Sequence, residues 1–267
     1  MSAVSEKFAE LRAENRPALV GYLPAGFPTV EGSRRAIEAM IRGGVDIVEV
    51  GFPYSDPVMD GPTIQAAADL ALARGVRIHD VFDVVRSSVD AGAPTVVMTY
   101  WNPVERFGVE KFALALKAAG GSGLITPDLI PDEAAEWTRA AEAHDLDQIF
   151  LVAPSSTDER LAMTAKASSG FLYATAVMGV TGQRQTTSSL APSLVARVRD
   201  VTDMPVGVGL GVSNGEQAAE VGEFADAVIV GSALVRCLLD APDEEAGLVA
   251  IEALARDLRA GVERARA

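Results

Sequence analysis

The chain is poor in the residues that many enzymes use for covalent chemistry. It has one cysteine, two histidines and four lysines among 267 residues. The single cysteine, Cys237, has no partner for an internal disulfide, and its setting in ALVRCLL is typical of an apolar position on a buried helix. The lysines fall in predicted helices, which excludes a Schiff-base lysine at a strand end; they are Lys7, Lys111, Lys117 and Lys166.

Clusters of metal ligands and nucleophilic triads are also missing. His79 and His144 lie on or beside predicted helices far apart in the sequence. No His, Cys and carboxylate residues have the spacing of a metal site, and neither histidine is placed to activate a nucleophile. We therefore expect no bound metal, and acid–base chemistry by carboxylates is the main possibility that remains.

Positive charge and long apolar runs are scarce as well. Asp and Glu total 37 against 23 Lys and Arg, and the net charge of -14 would repel nucleic acids and anionic lipids. No 18 apolar residues run consecutively, and the charged first residues lack the apolar stretch of a signal peptide. We expect no nucleic-acid or membrane partner and a cytoplasmic location.

Short apolar strands alternate with helical segments, which is typical of an α/β protein with a parallel sheet. Eight such units in about 250 residues match a single (β/α)8 TIM barrel, whereas a doubly wound sheet usually has fewer strands. We expect residues 1–267 to form one barrel domain with an N-terminal helix. The predicted strands are Leu19–Leu23, Asp46–Val50, Thr95–Thr99, Gly123–Ile125, Gln148–Val152, Phe171–Ala174, Pro205–Val208 and Ala227–Val230.

The C-terminal segment has apolar residues at spacings of three and four. This period predicts an amphipathic helix that packs one face on the outside of the barrel. The residues that define the face are Leu248, Ile251, Leu254, Leu258 and Val262.

The second predicted strand carries a glutamate. Alternation puts Ile47 and Glu49 on one face of this strand and Val48 and Val50 on the other. The valines suit the layer beneath the helices, so Glu49 is predicted to point inward near the C-terminal mouth, where barrel active sites lie. Desolvation there would raise its pKa and suit it to proton transfer. The alternative is a structural glutamate bonded to an interior polar neighbour.

Asp60 lies in the loop after the same strand, before Gly61 and the helical run Ile64–Arg74. Aspartate is a favoured helix N-cap, so its position alone favours capping or turn formation. Two carboxylates on one βα unit, one drier than the other, are also a way in which an active site separates an acid from a base. Both interpretations of Asp60 stay open.

Glycine-rich loops follow the last two predicted strands. They read GVGLG at 207–211 and GSA at 231–233, the second at the start of a short helix. Glycines let backbone N–H groups approach an anion, and a helix start adds a partial positive charge. These loops predict a phosphate site, which barrels build after strands seven and eight. The alternative is that the glycines serve only tight turns.

Taken together, these motifs resemble the tryptophan synthase alpha chain family from about Gly21 to Leu239. The most specific stretch is VEVGFPYSDPVMDGPT at 48–63, which contains Glu49 and Asp60. The other similar motifs are Asn102-Pro103, Pro127-Asp128-Leu129, Tyr173 followed by Gly179-Val180-Thr181-Gly182, Gly209-Leu210-Gly211 and Gly231-Ser232-Ala233.

The resemblance implies a (β/α)8 lyase that cleaves indole-3-glycerol phosphate to indole and glyceraldehyde 3-phosphate without a cofactor of its own. The implied partner is a beta chain, in a heterotetramer of two alpha and two beta chains. That partner uses pyridoxal phosphate to join the channelled indole to serine, which gives L-tryptophan.

The resemblance also implies a role for individual residues. Glu49 would be the main acid and base, and Asp60 would accept the indole N–H. Tyr22 would flank the indole, Tyr173 would shape the pocket, and Thr181 in a lid would reach Asp60. The phosphate would bind near Gly182, Gly211, Gly231 and Ser232.

Some positions depart from the family pattern, among them Ile130 and the apolar stretch Ala174–Met178, both outside the carboxylate pair. Trp101, in a predicted loop at the mouth, suits either a partner interface or internal packing. Three other functions stay open. They are a mainly allosteric binding subunit, a stand-alone lyase, and another phosphosugar barrel enzyme such as an isomerase.

Overall fold

A computed structural model describes residues 2–175, 190–209 and 211–266. Within these residues, short strands alternate with helices along the chain. The strands are β1 (Ala18–Pro24), β2 (Ile47–Gly51), β3 (Thr95–Met98), β4 (Gly123–Ile125), β5 (Asp147–Ile149), β6 (Leu151–Val152), β7 (Leu172–Thr175), β8 (Val206–Gly209) and β9 (Ala227–Val230).

The helices surround these strands. In the described part of the chain, none is both long enough and apolar enough to cross a membrane. They are α1 (Ala3–Ala13), α2 (Val30–Arg42), α3 (Pro62–Ala73), α4 (Ile78–Asp90), α5 (Trp101–Phe107), α6 (Val109–Ala118), α7 (Ala135–Ala143), α8 (Asp158–Ala167), α9 (Leu190–Arg199), α10 (Gly215–Gly222), α11 (Ser232–Leu239) and α12 (Glu244–Arg264), with a 3-10 turn at Pro131–Glu133.

The strands pair in parallel in the order β5, β4, β3, β2, β1, β9, β8, β7, β6. The two strands at the ends of this order, β5 and β6, are separated in the chain only by Phe150. The Phe150 carbonyl oxygen accepts a hydrogen bond from the Tyr173 N–H at 3.1 Å, so the sheet closes into a barrel. The predicted (β/α)8 barrel is confirmed, and its fifth predicted strand, Gln148–Val152, is interrupted at Phe150.

Alternation along the strands separates two apolar layers. Val48 and Val50 belong to the outer cluster between the strands and the helices. Ile47 belongs to a second cluster inside the barrel, together with its register partner Val20 on β1. Because apolar side chains pack this interior, ligand chemistry is confined to the carboxyl ends of the strands.

Helix α1 covers the amino-terminal end of the barrel. Its residues Val4, Phe8 and Leu11 are buried in the inner cluster. The Phe8 ring lies 5.5 Å from the ring of Phe171, which directly precedes β7. The first helix is therefore part of the interior core.

Asp46, at the amino-terminal end of the barrel, bonds to the segment after α1 and to the C-terminal helix α12. It accepts hydrogen bonds from Arg16 at 2.7 Å, from Arg259 of α12 at 3.0 Å and from the Leu19 N–H at 2.8 Å. These contacts hold the start of β2 and thereby help to set the height of its side chains in the barrel.

Helix α12 packs along the outside with the predicted face. Leu254 is only half-buried, at the edge of the outer cluster. The residues of this face that are buried are Leu248, Ile251, Leu258 and Val262. On the neighbouring α11, Cys237 is half-buried against the same cluster, with its Sγ 3.4 Å from the Ala233 carbonyl oxygen, in keeping with a packing role.

Replacement of Phe8 by alanine is expected to lower the free energy of unfolding by about 3–5 kcal/mol, because it leaves a cavity beneath Phe171. Urea unfolding measures this loss. Leu114→Ala is the matched control, since Leu114 on α6 is 57% exposed and its loss is expected to cost under about 0.5 kcal/mol. Equal, small losses in both variants would show that α1 does not stabilise the barrel.

Candidate active site

Glu49 lies on the inner face of β2. In the sheet register it stands between Tyr22 on β1 and Val96 on β3. Only 1% of Glu49 is exposed, and its Oε2 atom is fully buried with no hydrogen-bond partner in the described structure. The predicted inward direction of this side chain is confirmed. An unpartnered buried oxygen costs stability, which favours a functional explanation over a structural one.

The environment of Glu49 suits it to carry a proton. Burial, and to a lesser extent the charge of Asp60, raise the pKa of Glu49 to about 8. A carboxyl group with this pKa is mostly protonated at neutral pH and able to donate its proton to a bound molecule.

Asp60 lies in the loop after β2 and does not cap the following helix. Gly61 is the N-cap residue of α3, so the Asp60 side chain is not its cap. The prediction that Asp60 caps this helix is wrong. Proline is favoured at the first helical position, which Pro62 occupies, so the N-cap is Gly61 and not Asp60. Burial raises the pKa of Asp60 to about 6, although the neighbouring Tyr100 hydroxyl opposes the rise. At neutral pH Asp60 is mainly ionised while Glu49 is protonated, which separates a base from an acid.

Two tyrosines, Tyr22 and Tyr173, border the carboxylates. Glycines at the ends of β2 and β8 make room for the hydroxyl groups of these tyrosines. A Cβ atom added at Gly51, the last residue of β2, would collide with the Tyr22 hydroxyl. A Cβ atom added at Gly209, the last residue of β8, would lie 2.8 Å from the Tyr173 hydroxyl. Any larger residue at either position would displace a phenol from the mouth of the barrel.

The two phenols and the two carboxylates influence one another. Burial, with smaller contributions from the charges of Asp60 and Glu49, raises the pKa of Tyr22 and of Tyr173 well above the usual value. Both tyrosines therefore remain neutral hydrogen-bonding groups. The structure brings together four of the predicted site residues from the ends of β1, β2 and β7.

The predicted phosphate residues that the structure describes follow β8 and β9. Gly211 has a φ of 71°, so a turn that needs glycine accounts for it. Gly231 has a φ of -120° and is the N-cap of α11, so its backbone conformation does not require glycine. Gly231 has no side chain that could cap α11, and the N–H groups of the first turn of this helix, beginning at Ser232, suit an anion.

Two predicted site residues, Thr181 and Gly182, lie outside the described residues. The same holds for residues 176–178 of the apolar stretch that departs from the family pattern. Ile130, the other departure, is 41% exposed directly before the 3-10 turn.

The prediction that Trp101 lies in a loop is wrong, because Trp101 is the first residue of α5. Its side chain is half-buried and packs against the outer cluster. Its N–H donates to the two carboxylate oxygens of Asp128 at 2.9 and 3.1 Å, so a side chain from the loop after β4 starts this helix. The preceding residue, Tyr100, is not predicted from the sequence, and its hydroxyl oxygen accepts a hydrogen bond from the N–H of Met59, the residue before Asp60, at 3.0 Å. Its position just past a predicted strand end was the available signal.

The histidines contact residues of neighbouring helices. His79 is exposed on α4, and His144, at the end of α7, is 2.7 Å from Glu110 of α6. Across the described residues, no three His, Cys, Asp or Glu side chains are grouped so that they could hold a metal ion.

Replacement of Glu49 by glutamine is expected to stabilise the folded protein at alkaline pH. The folded state binds the Glu49 proton more tightly than the unfolded state between the ordinary pKa of 4.5 and about 8. Wild-type stability therefore falls as pH rises through this window. Glutamine resembles the neutral form, so the variant should be more stable by roughly 1–3 kcal/mol at about pH 9 and similar at about pH 4.

Urea unfolding across this pH range measures the difference. Glu136→Gln, at an exposed position on α7, is the control and is expected to show no such dependence. A Glu49→Gln difference that stays constant with pH would contradict the raised pKa.

Comparisons with known proteins agree with this architecture. The family model for the tryptophan synthase alpha chain matches residues 8–263. The tryptophan synthase alpha chain of Salinispora arenicola is 62% identical over 262 residues, which is 98% of each chain. That of Acidothermus cellulolyticus is 59% identical over 264 residues, covering 99% of this chain and 98% of the relative.

Solved structures give the same result. A structure of Mycobacterium tuberculosis tryptophan synthase matches with a TM-score of 0.93 and 56% identity, covering 98% of both chains. Tryptophan synthase subunit alpha from Legionella pneumophila matches with a TM-score of 0.86 and 33% identity, covering 98% of both chains. The chain therefore belongs to the tryptophan synthase alpha chain family, and it is a subunit of an enzyme.

Proposed function

We propose that this chain is a carbon–carbon lyase that cleaves indole-3-glycerol phosphate to indole and glyceraldehyde 3-phosphate. The observation that carries the proposal is Glu49, a buried carboxyl group with an unpartnered oxygen and a pKa raised to about 8, beside the more acidic Asp60. A retro-aldol cleavage of this substrate needs both a proton donor and a separate anion.

The two carboxylates have complementary tasks in this reaction. Protonated Glu49 delivers its proton to the indole C3 atom, and the positive charge that develops on the ring nitrogen is stabilised as its N–H donates to ionised Asp60. Glu49, now ionised, removes the proton of the side-chain hydroxyl. As that oxygen becomes an aldehyde, the carbon–carbon bond breaks and its electron pair returns to the ring. Glu49 ends protonated, as it began.

The remaining site residues bind and orient the substrate. Tyr22 flanks the indole and Tyr173 shapes the pocket, each as a neutral phenol. Backbone N–H groups at Gly211, Gly231 and Ser232 hold the phosphate. These anchors would fix the scissile carbon over Glu49, which is how positioning lowers a barrier.

The indole product is proposed to pass to a tryptophan synthase beta chain. In this proposal the beta chain holds pyridoxal phosphate, the alpha chain needs no cofactor, and two copies of each form the complex. Support comes from apolar side chains exposed in loops at the mouth, Val58 at 71% and Ile130 at 41%, because such groups are candidates for an interface core. The single cysteine suits a reducing compartment, and we place the complex in the cytoplasm.

Indole release from indole-3-glycerol phosphate, with and without an added beta chain, tests this function. Glu49→Gln is expected to lower turnover by about 10²–10⁴-fold while substrate still binds, because glutamine cannot donate a proton to carbon. Glu136→Gln is expected to match wild type. Substantial turnover by Glu49→Gln would exclude Glu49 as the acid.

The same assay separates the other functions. Fast indole release by the alpha chain alone would favour a stand-alone lyase. Equal stimulation of the beta reaction by wild type and Glu49→Gln, with little cleavage by either, would favour an allosteric subunit. No cleavage under any condition would favour another phosphosugar enzyme.

The pH dependence of kcat/KM is expected to be bell-shaped. Activity should rise as Asp60 ionises, near its pKa of about 6, and fall as Glu49 loses its proton, near its pKa of about 8. Steady-state rates between about pH 5 and 9 measure both limbs. Activity that keeps rising from about pH 7 to pH 9 would show that protonated Glu49 is not the required form.

A further inference from the structure

Gln65 lies near the start of α3, and its side chain turns back toward the loop after β2. The Nε2 atom of Gln65 donates a hydrogen bond to the Asp60 carbonyl oxygen at 2.7 Å. The backbone N–H of the same residue donates to the carbonyl oxygen of Gly61, the N-cap, at 3.0 Å. Gln65 therefore binds the carbonyl groups of two consecutive residues, one by its side chain and one by its backbone.

The Asp60 carbonyl group lies outside the hydrogen-bond ladder of α3. This ladder begins at the carbonyl group of the N-cap, Gly61, and Pro62 at the first helical position has no N–H group. The carboxamide of Gln65 reaches one residue beyond the N-cap. It thereby attaches the backbone of Asp60 to the helix.

The peptide group on the other side of Asp60 is also held. The Met59 N–H donates to the Tyr100 hydroxyl oxygen at 3.0 Å. Tyr100 is 5% exposed and directly precedes α5, where the Trp101 N–H donates to Asp128 in the loop after β4. Asp60 therefore lies between two backbone attachments, one to the start of α5 and one to α3.

The loop needs these attachments because it has no regular secondary structure of its own. Residues 52–61 contain no helix or strand, and Val58, two positions before Asp60, is 71% exposed. Gly61, directly after Asp60, has no Cβ atom and therefore the least restricted backbone of any residue type. A change in the backbone angles at this point would change the direction of the Asp60 side chain.

That direction matters because the Asp60 carboxylate lies among buried groups of the mouth. Its charge contributes to the raised pKa values of Glu49, Tyr22 and Tyr173, which stand on three different strands. Burial in turn raises the pKa of Asp60 to about 6. An Asp60 side chain that turned outward would gain water and lose its influence on Glu49.

We propose that Gln65 is a positioning residue, whose carboxamide holds the backbone of Asp60 so that the Asp60 carboxylate points into the mouth of the barrel. A neutral amide suits this task, because it donates to a carbonyl oxygen without adding a charge beside the two carboxylates. A lysine at the same position would favour the ionised forms of both acids. The consequence for catalysis rests on the proposed function, whereas the hydrogen bonds belong to the chain itself.

Gln65→Met keeps the length of the side chain and removes its hydrogen-bond donor. The first measurement is a titration of the Asp60 carboxyl carbon by NMR in the full-length free chain, assigned with Asp60→Asn. The released carboxylate gains access to water, so its midpoint is expected to fall by about 1 pH unit, toward the ordinary value of 3.8. Gln65→Asn, whose amide is one methylene shorter, is a second variant for which the same fall is expected.

Gln148→Met is the matched control. Gln148, near the start of β5, is 8% exposed, and its Oε1 atom accepts a hydrogen bond from Thr138 of α7 at 2.8 Å. The same substitution therefore removes one side-chain hydrogen bond of a glutamine outside the carboxylate site. It is expected to lower the urea midpoint of unfolding and to leave the Asp60 titration unchanged.

The second measurement is the pH dependence of indole release. Gln65→Met is expected to lower kcat roughly 10–100-fold, because the carboxylate no longer meets the indole N–H in the right geometry. KM should change much less, since the interaction with Asp60 is strongest when the ring nitrogen becomes positive. The acid limb of kcat/KM should move to lower pH together with the Asp60 midpoint. A purely structural role would move neither the limb nor the midpoint.

The two measurements keep the proposals distinguishable. If the wild-type chain releases no indole, the proposed function fails, while the NMR titration still tests the role of Gln65. An Asp60 midpoint that is unchanged or raised in Gln65→Met, or that falls equally in Gln148→Met, would overturn the inference. A lower kcat without movement of the acid limb would overturn it as well.

Discussion

The desolvation of one carboxyl group, that of Glu49, is the constraint on which the site depends. The side chain stands at the top of a barrel filled by residues such as Ile47 and Val20, and its Oε2 atom has no hydrogen-bond partner in the described structure. An ionised carboxylate at this position would lose the hydration that stabilises its charge. Burial therefore keeps the group protonated, and a carboxylic acid becomes a proton donor at neutral pH.

A barrel that leaves a buried polar atom without a partner needs stability from elsewhere. Helix α1 supplies part of it by closing the lower end of the interior with Phe8, and Asp46 joins both terminal segments to the start of β2. These features lie at the end of the barrel opposite the active site. The division agrees with the general pattern that one end of such a barrel serves stability and the other serves function.

The contrast between the two carboxylates arises from their surroundings. Glu49 projects from a strand into the buried interior, whereas Asp60 lies on a loop, where the neighbouring Tyr100 hydroxyl opposes the rise of its pKa. Their mutual repulsion adds to the difference, since the charge of Asp60 disfavours a second charge on Glu49. One βα unit thus holds an acid and an anion at the same pH.

The local sequence pattern was sufficient to predict the structure where the direction of a side chain follows from backbone geometry. The alternation of Ile47, Val48, Glu49 and Val50 determined which of them faces the interior, because successive side chains of a strand point to opposite faces of the sheet. The repeat of strands and helices likewise determined the barrel. Local pattern failed for Asp60, since an aspartate before a glycine and a proline suits a cap, yet the helix begins one residue later.

By itself, the sequence determined the barrel, the inward direction of Glu49 and the placement of the glycine-rich loops at the ends of the last strands. Only the tertiary structure decided that Tyr100 bonds to the Met59 N–H, that Gly51 and Gly209 make room for Tyr22 and Tyr173, and that Glu49 has an oxygen without a partner among the described residues. The reason is that periodicity specifies directions along one element. Contacts between loops of different βα units depend on how the closed sheet brings their ends together in space.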